Sequence, residues 1–535
     1  MRILMVNWAK VWDAARIGGG ANGYMNGLAR ELAKRGHDVS CLATGIEDVP
    51  DVNPLDFRPT AGPISIRRHD DWNGIRVFEV VNSPVLAPAV FNFQHPELEE
   101  RCPQLAAEVG RFVHLLQPDV VHLHNIEGLS ADCVDAIVSE GSRVVFSLHN
   151  YHSICPQVYL MQCGLTPCHD FEGGAACERC AATVGEEFDS RHEHLRRWTG
   201  AMKRLNVPIT KPLMPTVDGR LPLPFHAVEA AEDVIKACPF PVEEVRGRPP
   251  IAAAVGGKPE EPKADLAAIT NEINADSRPD LTNKFGRRRA AMLAMLNRCD
   301  AVHAVSEYVA QRFQRLGVRP SIVHTFNIGT RASEFVSRSR ARVDGAVINL
   351  VFLGFHNRYK GLDVLLDAIE LLDPAISSRF GLHVYAQNLE SAMPRLDRLR
   401  SKISFLGTQD GYVFDSLPEL LADKDVGVVP SIWWDNGPQT VMEFQGCGLP
   451  VIGADVGGIP DLVQHNVNGL LFRGNDREAL ATSLTQLVTD AELLPRLKAA
   501  VRRPKSMKEH ASEMEGLYQQ LCLPSAVAEG VAHVR

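Results

Sequence analysis

Residues suited to binding phosphate and ribose are concentrated in the second half of the chain. Arg358 and Lys360 lie in a short polar loop between the apolar run 347–354 and a helix-like segment that starts at Leu362. Two cations at a strand-to-helix loop are well placed to neutralise a diphosphate, aided by the positive end of the helix. A solvated basic loop is the plain alternative for this segment taken alone.

Two further loops in the same half have matching chemistry. The run 426–429 leads to the segment 435–443, in which backbone amides at a helix start could hold phosphate oxygens and Glu443 could accept two ribose hydroxyls. The segment 448–461 ends a buried strand with two adjacent glycines, which let a backbone approach a ligand closely. One acidic residue at a helix start is commonplace, but three such loops at strand ends together predict a nucleotide diphosphate site.

These loops must be positioned by parallel strands that end at one edge of a sheet. Short apolar runs alternate with amphipathic helical segments in both halves of the chain, a pattern typical of doubly wound α/β domains. Ligands of such domains lie beyond the carboxyl ends of the strands. We therefore predict an α/β protein with two Rossmann-like domains facing a cleft, its strands including 3–7, 39–43, 120–124, 144–149, 301–306, 347–354 and 426–429.

Composition shifts predict the domain boundaries. The first part of the N-terminal domain covers 1–180, and an insertion of uncertain structure, rich in proline and glycine, covers 181–283. The N-terminal domain returns at 284–335, the C-terminal domain covers 336–506, and a closing helical segment covers 507–535.

Bulk properties exclude some function classes. The 535 residues are 45% hydrophobic, and the net charge of −9 comes from mixed signs without a basic footprint, so a nucleic-acid binder is not expected. The apolar run at the start is too short for a signal peptide, and no apolar window is long enough to span a membrane. We expect a cytoplasmic protein, and peripheral contact with the inner face of a membrane stays open.

Five of the twelve cysteines lie close together, between Cys155 and Cys180. A Cys-x-x-Cys pair with two more thiols nearby can form a tetrahedral structural zinc site. The candidate ligands are Cys163, Cys168, Cys177 and Cys180. Reduced loop thiols are the alternative interpretation, and disulfides are not expected in a reducing compartment.

Two other motifs resemble ligand sites but have the wrong context. The glycines of 18–23 fit a dinucleotide-binding pattern, yet a long loop separates them from their strand, and the next strand ends without an acid. The Asp-Lys-Asp of 423–425 precedes a strand instead of ending one. We therefore predict neither a nicotinamide cofactor nor a catalytic metal.

The run 435–472, with Lys360 and Gly361, resembles the family 4 glycosyltransferases, which are retaining enzymes of the GT-B fold. The family pattern has two glutamates separated by seven residues, then a Cys-Gly-Leu-Pro-Val strand and a Gly-Gly-Ile-Pro turn. Asp435 stands at the first glutamate and Glu443 at the second. The similarity continues in the first half at 19–20, 36–39 and 149–151.

The resemblance implies roles for these residues. Lys360 would bind the donor diphosphate, Glu443 the ribose, and Asp435 the transferred sugar, while His149 would lie near the reaction centre. Lys360, Asp435 and His149 are the implied catalytic residues, and the closing helix would cross back to the first domain. The implied donor-binding set is Gly19, Gly20, Gly354, Arg358, Lys360, Asn436, Gly437, Pro438, Gln439, Thr440 and Glu443.

Two positions depart from the family pattern. Asp435 is one methylene shorter than glutamate, and Phe355 replaces an arginine that Arg358 could substitute for. The expected function is transfer of a sugar, with retention, from a nucleoside-diphosphate sugar to a glycan, lipid-linked or small-molecule acceptor, as in polysaccharide biosynthesis, with no catalytic cofactor. The alternatives are a catalytically altered nucleotide-sugar-binding protein and a sugar phosphorylase or epimerase on the same fold.

Overall fold

The structure is a computed structural model that describes residues 1–13, 17, 19–52, 59–184, 188–204, 278–336 and 346–523. Most of the predicted insertion, 205–277, lies outside the described residues, so its predicted irregular structure stays a prediction. Within the described ranges, no helix is long and apolar enough to cross a bilayer.

The first half of the chain forms an eight-stranded sheet in the order β12-β11-β8-β7-β1-β2-β6-β5. All neighbouring strands are parallel except β5 and β6. Most of its central strands are buried along nearly their whole length, as expected when helices cover both faces. The strands of this sheet are β1 (Arg2–Asn7), β2 (Asp38–Glu47), β5 (Ser65–Arg68), β6 (Arg76–Val81), β7 (Val120–Leu123), β8 (Arg143–Leu148), β11 (Ala301–Ala304) and β12 (Val323–Thr325).

Helices and two short hairpins complete this first unit. The hairpins pair β3 (Pro50–Val52) with β4 (Pro59–Ala61) and β9 (Met161–Gln162) with β10 (Thr166–Pro167). The described helices are α1 (Gly19–Lys34), α2 (Pro96–Glu100), α3 (Pro103–Leu116), α4 (Asp132–Ser139), α5 (Ala175–Ala181), α6 (Ser190–Arg204), α7 (Lys284–Leu296) and α8 (Glu307–Arg315).

The second half forms a six-stranded parallel sheet in the order β15-β14-β13-β16-β17-β18. Its strands are β13 (Ile348–Phe355), β14 (Phe380–Gln387), β15 (Phe405–Gln409), β16 (Val426–Val429), β17 (Val451–Ala454) and β18 (Gly469–Phe472). Its helices are α9 (Leu362–Leu371), α10 (Pro374–Ser377), α11 (Met393–Leu399), α12 (Leu417–Leu420), α13 (Gln439–Gly446), α14 (Ile459–Leu462), α15 (Arg477–Thr489) and α16 (Leu493–Ala499).

Each sheet has one point at which the strand order reverses, between β1 and β7 in the first unit and between β13 and β16 in the second. In open parallel sheets, ligands bind outside the carboxyl ends of the strands at such a point. The two predicted doubly wound units are therefore present, and each offers one switch point.

The final helix α17 (Met507–Cys522) packs on α1 of the first unit. It begins with a capping box in which Ser506 and Glu509 satisfy each other's backbone amides. The Tyr24 hydroxyl lies 2.6 Å from His510 Nε2, and Arg35 pairs with Glu515 at 2.9 Å. The closing helix thus joins the end of the second unit to the first.

Candidate active site

A cavity of about 730 Å³ lies between the two units, next to both switch points. The second unit contributes residues that follow β13, β15 and β16, and the first unit contributes residues that follow β1, β7 and β8. Of the predicted site residues, it is lined by Gly19, Gly20, His149, Gly354, Lys360, Asp435, Gly437, Gln439, Thr440 and Glu443.

The loop after β13 is shaped to present Lys360. The Asn357 side chain accepts a hydrogen bond from the Lys360 amide at 3.0 Å and so caps a single helical turn. Gly361 then adopts a left-handed conformation with φ of +72°, and a Cβ there would lie 1.8 Å from the Pro430 carbonyl oxygen. Only glycine allows the β13 loop to approach the β16 loop this closely.

This close approach brings Lys360 and Asp435 together. Lys360 Nζ donates to Asp435 Oδ2 at 2.8 Å, and the Asp435 side chain is 8% exposed. Lys360 Nζ also lies 5.3 Å from the centre of the Trp433 ring. The one lysine among the described cavity residues is therefore held in place by a carboxylate, and it keeps further N–H donors for another anion.

Glu443 lies one turn into α13 and is buried. Its Oε2 accepts a hydrogen bond from the Tyr412 hydroxyl at 2.8 Å. Burial raises the pKa of Glu443 to about 7, against the lowering effects of Tyr412 and Lys360. A buried carboxylate with unused acceptor capacity, next to the cavity, suits a pair of neighbouring hydroxyl groups.

His149 follows β8 on the opposite wall. Its Nε2 lies 3.3 Å from His124 Nδ1, and its ring centre lies 4.5 Å from that of Tyr24. Burial, with a smaller effect from His510, lowers the pKa of His149 to about 3. The imidazole is therefore neutral at ordinary pH, and it can exchange hydrogen bonds with a ligand but cannot supply positive charge.

His149 belongs to a buried group that we call the histidine layer: His122, His124, His149, His303 and His510. Ser147 Oγ links His122 and His303 at 2.7 and 2.8 Å, and His122 Nδ1 lies 2.6 Å from the Tyr518 hydroxyl of α17. Burial lowers the pKa of all five imidazoles. The layer connects the wall of the cavity to the closing helix.

The start of α1 meets the start of α13 across the cavity. Gln439 Nε2 donates to the Gly20 carbonyl oxygen at 2.7 Å, and a Cβ on Gly20 would lie 3.0 Å from the Gln439 side chain. Gly19 has φ of +59° with open space around it. The predicted glycines therefore lie at the cavity, and Gly20 also contacts the second unit directly.

Three residues of the predicted donor-binding set do not line the cavity. Arg358 is exposed, and its Nε donates to the Leu165 carbonyl of the first unit at 3.2 Å. Asn436 donates to the Leu148 carbonyl at 3.2 Å, and Pro438 precedes α13 as its N-cap residue. Arg358 and Asn436 instead make contacts between the units through their side chains, and their roles in donor binding stay predictions.

The paired glycines after β17 also have a different role from the predicted one. A Cβ on Gly457 would lie 2.4 Å from the Asp435 carbonyl oxygen, and one on Gly458 would lie 2.4 Å from that of Asn436. The Gly458 amide donates to the Asp435 carbonyl at 2.7 Å. Both glycines support the loop that carries Asp435 and do not line the cavity.

The four cysteines predicted as zinc ligands are brought near each other but not into a ligand set. Cys168, Cys177 and Cys180 pack in an apolar cluster with three phenylalanines, and Cys163 Sγ lies 3.9 Å from Cys180 Sγ. Among the residues that the structure describes, no three His, Cys, Asp or Glu side chains converge well enough to hold a metal ion. Burial raises the pKa of Cys177 to about 11 and that of Cys180 to about 12. Cys168, Cys177 and Cys180 are buried thiols and Cys163 is half-buried, and the zinc site stays a prediction.

Sequence reasoning missed several residues of the cavity wall. Asn125 and Glu127 follow β7 and line the cavity, as do Trp8 after β1 and Tyr412 after β15. A signal was available, because ligands of doubly wound domains lie beyond the carboxyl ends of the strands, and Trp8 and Asn125 directly follow predicted strands. No motif marks these positions, so only the strand order singles them out.

Comparison with known proteins agrees with this architecture. Residues 348–490 match the family model described as Glycosyl transferases group 1, and residues 18–162 match that described as Glycosyltransferase Family 4. The chain aligns over 97% of its length with the Anabaena protein Alr3699/HepE in complex with UDP, and over all of that chain, with a TM-score of 0.51 and 13% identity. Sucrose-phosphate synthase from Thermosynechococcus elongatus aligns over 97% of this chain and 99% of its own, with a TM-score of 0.55 and 15% identity. These likenesses show the fold, which is GT-B.

Curated relatives are similar over shorter stretches. A D-inositol 3-phosphate glycosyltransferase from Geodermatophilus obscurus is 31% identical over 36% of this chain and 45% of its own length. The enzyme of the same name from Thermobifida fusca is 29% identical over 47% of this chain and 61% of its own length. The chain thus spans about half the length of the curated relatives it matches. With both units matched, the chain belongs to the family 4 glycosyltransferases.

Proposed function

We propose that this protein transfers a sugar from a nucleoside-diphosphate sugar to a hydroxyl group of a glycan, lipid-linked glycan or small molecule, with retention of anomeric configuration. The observation that supports the proposal best is the convergence of Lys360, Asp435 and Glu443 at the carboxyl ends of β13 and β16, facing His149 across one cavity. In this proposal the first unit receives the acceptor, and the second, from about residue 336, receives the donor.

The second unit has the groups that a donor needs. Lys360 and the first amides of α13 would bind the diphosphate, because a cation and a helix N-terminus both favour an anion. Glu443 would accept hydrogen bonds from the ribose hydroxyls. Asp435 is already paired with Lys360, so we assign it the positioning of Lys360 and of the transferred sugar before any role as a nucleophile.

In the proposed reaction, the bond from the anomeric carbon to the diphosphate oxygen breaks and a bond to the acceptor oxygen forms. The acceptor's proton passes to the departing diphosphate. Lys360 stabilises the charge that develops on this leaving group, so the chain supplies that positive charge itself. His149, being neutral, would exchange a hydrogen bond with the sugar or the acceptor.

The test is hydrolysis of a panel of nucleoside-diphosphate sugars by the purified full-length chain, followed by mass spectrometry. We expect slow hydrolysis of at least one donor, and its loss in Glu443→Ala. The anomeric configuration of a transfer product, read by NMR, decides retention. Tight donor binding without turnover under any acceptor would favour the nucleotide-sugar-binding alternative, and absence of any nucleotide binding would refute the proposal.

A further inference from the structure

The first-unit wall of the cavity contains an amide whose orientation is fixed by a chain of hydrogen bonds. Asn22 Nδ2 lies 2.9 Å from the Lys10 carbonyl oxygen and 3.1 Å from that of Ile17. A carbonyl only accepts hydrogen bonds, so the Asn22 amide nitrogen must face both oxygens. Asn22 Oδ1 is then left to accept from Asn7 Nδ2, at 2.9 Å.

The same reasoning fixes the orientation of Asn7 and then of Asn125, which lines the cavity. Because Asn7 Nδ2 faces Asn22, Asn7 Oδ1 must accept from Asn125 Nδ2, which lies 2.5 Å away. Asn125 is 3% exposed, lines the cavity, and its Oδ1 has no hydrogen-bond partner among the residues that the structure describes. The wall therefore presents a buried acceptor oxygen that lacks a donor, which is costly unless a ligand supplies one.

Glu127 presents a second set of acceptor oxygens on this wall. It is 4% exposed, its Oε2 accepts from the Ala89 amide at 2.8 Å, and its Oε1 accepts from Asn150 Nδ2 at 3.2 Å. A carboxylate has about four acceptor positions, so these two bonds leave capacity for a ligand. Burial, with a smaller effect from Glu99, raises the pKa of Glu127, against the lowering effects of His152, the Ala89 amide and Asn150.

The charged residues of this wall, like its hydrogen-bonding groups, indicate which kind of ligand it suits. In the part that the structure describes, no lysine or arginine of the first unit lines the cavity. Lys10, close in sequence to Asn7, pairs instead with Glu47 and Glu79, at 3.3 Å each. Trp8 and Tyr159 add aromatic side chains to the wall. The described part of this wall therefore suits a ligand that donates hydrogen bonds, and the carboxyl group of Glu127 disfavours a negative charge beside it.

We propose that Asn125 and Glu127 form an acceptor subsite that selects an uncharged polyol, such as a sugar with free hydroxyl groups, and discriminates against phosphorylated acceptors. This assignment rests on the proposed function. It would distinguish this protein from the relatives named D-inositol 3-phosphate glycosyltransferase. A phosphate group beside Glu127 would lie next to an acidic side chain, and the described part of this wall has no lysine or arginine to balance it. Groups that accept hydrogen bonds reject a ligand lacking donors more strongly than an apolar wall does.

The experiment measures acceptor-dependent release of nucleoside diphosphate at saturating donor, relative to acceptor-free hydrolysis. The probes are matched pairs, glucose with glucose 6-phosphate and myo-inositol with inositol 3-phosphate, together with other neutral mono- and disaccharides and with glucosamine as a cationic probe. We expect at least one neutral polyol to accelerate release, with a kcat/KM at least tenfold above that of its phosphate ester.

Two variants locate the selectivity. Glu127→Gln and Asn125→Ala should each lower kcat/KM for the neutral acceptor about tenfold or more, and by a larger factor than they lower acceptor-free hydrolysis. Glu127→Gln should also lower the ratio of kcat/KM for the neutral acceptor to kcat/KM for its phosphate ester. Glu140→Gln, which changes an exposed carboxylate paired with His114, is the matched control and should change neither rate.

Several outcomes would overturn the assignment. These are faster use of a phosphate ester than of its neutral partner, acceleration by glucosamine alone, and donor hydrolysis that no neutral polyol accelerates. An equal loss of hydrolysis and transfer in Glu127→Gln, with a lowered unfolding midpoint, would show a structural role instead. Failure to bind or hydrolyse any donor refutes the proposed function itself, and so is distinguishable from a wrong acceptor class.

Discussion

The two walls of the cavity are built in opposite ways. The second-unit wall carries its charges, Lys360, Asp435 and Glu443, on short loops and one helix start within a single sheet. The first-unit wall presents amide oxygens and one carboxyl group, and neutral imidazoles lie behind it. The difference indicates that one wall is suited to an anion and the other to an uncharged group that donates hydrogen bonds.

The walls also differ in how they are supported. Lys360 is held by local features, namely the Asn357 cap, Gly361 and Asp435. His149 is held by the histidine layer, whose members come from three strands or their ends and from the final helix, hundreds of residues apart. A substitution in the second-unit wall should therefore change only the nearby site. A substitution in the histidine layer should change the packing, and so the stability, of the whole first unit.

The largest expected effect is on activity, from Lys360→Met. Removing the cation that stabilises the leaving diphosphate should lower kcat about 10²–10³-fold. Lys498→Met is the matched control, because Lys498 also pairs with an aspartate, Asp425 at 2.7 Å, but lies outside the cavity. Steady-state kinetics on the donor found by the hydrolysis screen provide the measurement.

The double variant Lys360→Met with Asp435→Asn separates the role of Lys360 in catalysis from its role in stabilising the fold. The single variant leaves a buried carboxylate without its partner, which costs about 1–3 kcal/mol of stability, and the double variant should regain most of it without regaining activity. Activity of Lys360→Met equal to that of the Lys498 control would contradict the assignment of Lys360.

The next largest effect is the pH dependence of stability that the buried histidines behind the first-unit wall should produce. Folding lowers the pKa of the buried imidazoles, so below about pH 6.5 the unfolded chain binds more protons than the folded one. Stability is then full above that pH and falls as the pH drops, by up to about 1.4 kcal/mol per pH unit for each such histidine. Denaturant unfolding at pH 8.0, 6.5 and 5.5 measures the loss.

Variants show which histidines carry this dependence. His303→Asn should reduce the loss of stability between pH 6.5 and 5.5 by up to about 1.4 kcal/mol, the contribution of one histidine. If the change in unfolding free energy between pH 8.0 and 5.5 is the same in His303→Asn as in the unmodified protein, His303 does not titrate in this way.

Glu443→Gln should have opposite effects on stability and on donor binding. The raised pKa of Glu443, about 7, means that the folded state loses stability as the pH rises from about 4.5 to 7, relative to a neutral side chain. At pH 8 the glutamine variant should therefore be more stable by roughly 1–3 kcal/mol. Its nucleoside-diphosphate affinity should fall about tenfold, because an amide accepts fewer hydroxyl hydrogen bonds than a carboxylate.

Calorimetric titration and thermal unfolding at pH 5 and pH 8 check both effects. The gain in stability should be small at pH 5 and full at pH 8. Nucleotide affinity that is unchanged at both pH values would remove Glu443 from the donor site and leave it a structural role with Tyr412.

The contrast between the walls also explains how much could be predicted from sequence. The two parallel units follow from alternating apolar runs, and Lys360, Asp435 and Glu443 meet because neighbouring strands of one sheet end together. Asn125 and Glu127 carry no motif, since their role depends on Asn7, Asn22 and Asn150 from distant segments.

Contacts between the units explain why some predicted site residues do not line the cavity. Arg358 is drawn to the Leu165 carbonyl of the first unit, and Asn436 to that of Leu148. Gly457 supports the Asp435 loop, a role that depends on tertiary packing and not on the turn that the glycine makes. Periodicity and motifs describe one unit at a time, so they do not specify which side chain crosses to the other unit.

The smallest expected effect tests the link between the walls. Gln439→Ala removes the hydrogen bond to the Gly20 carbonyl and should lower stability by at most about 0.5–1.5 kcal/mol, while raising the KM values for donor and acceptor roughly two- to tenfold. Gln445→Ala is the control from the same helix, because Gln445 donates to the Leu462 carbonyl within the second unit at 2.7 Å. It should lower stability without raising either KM. If both variants raise KM equally, the effect comes from α13 as a whole and not from the bridge between the walls.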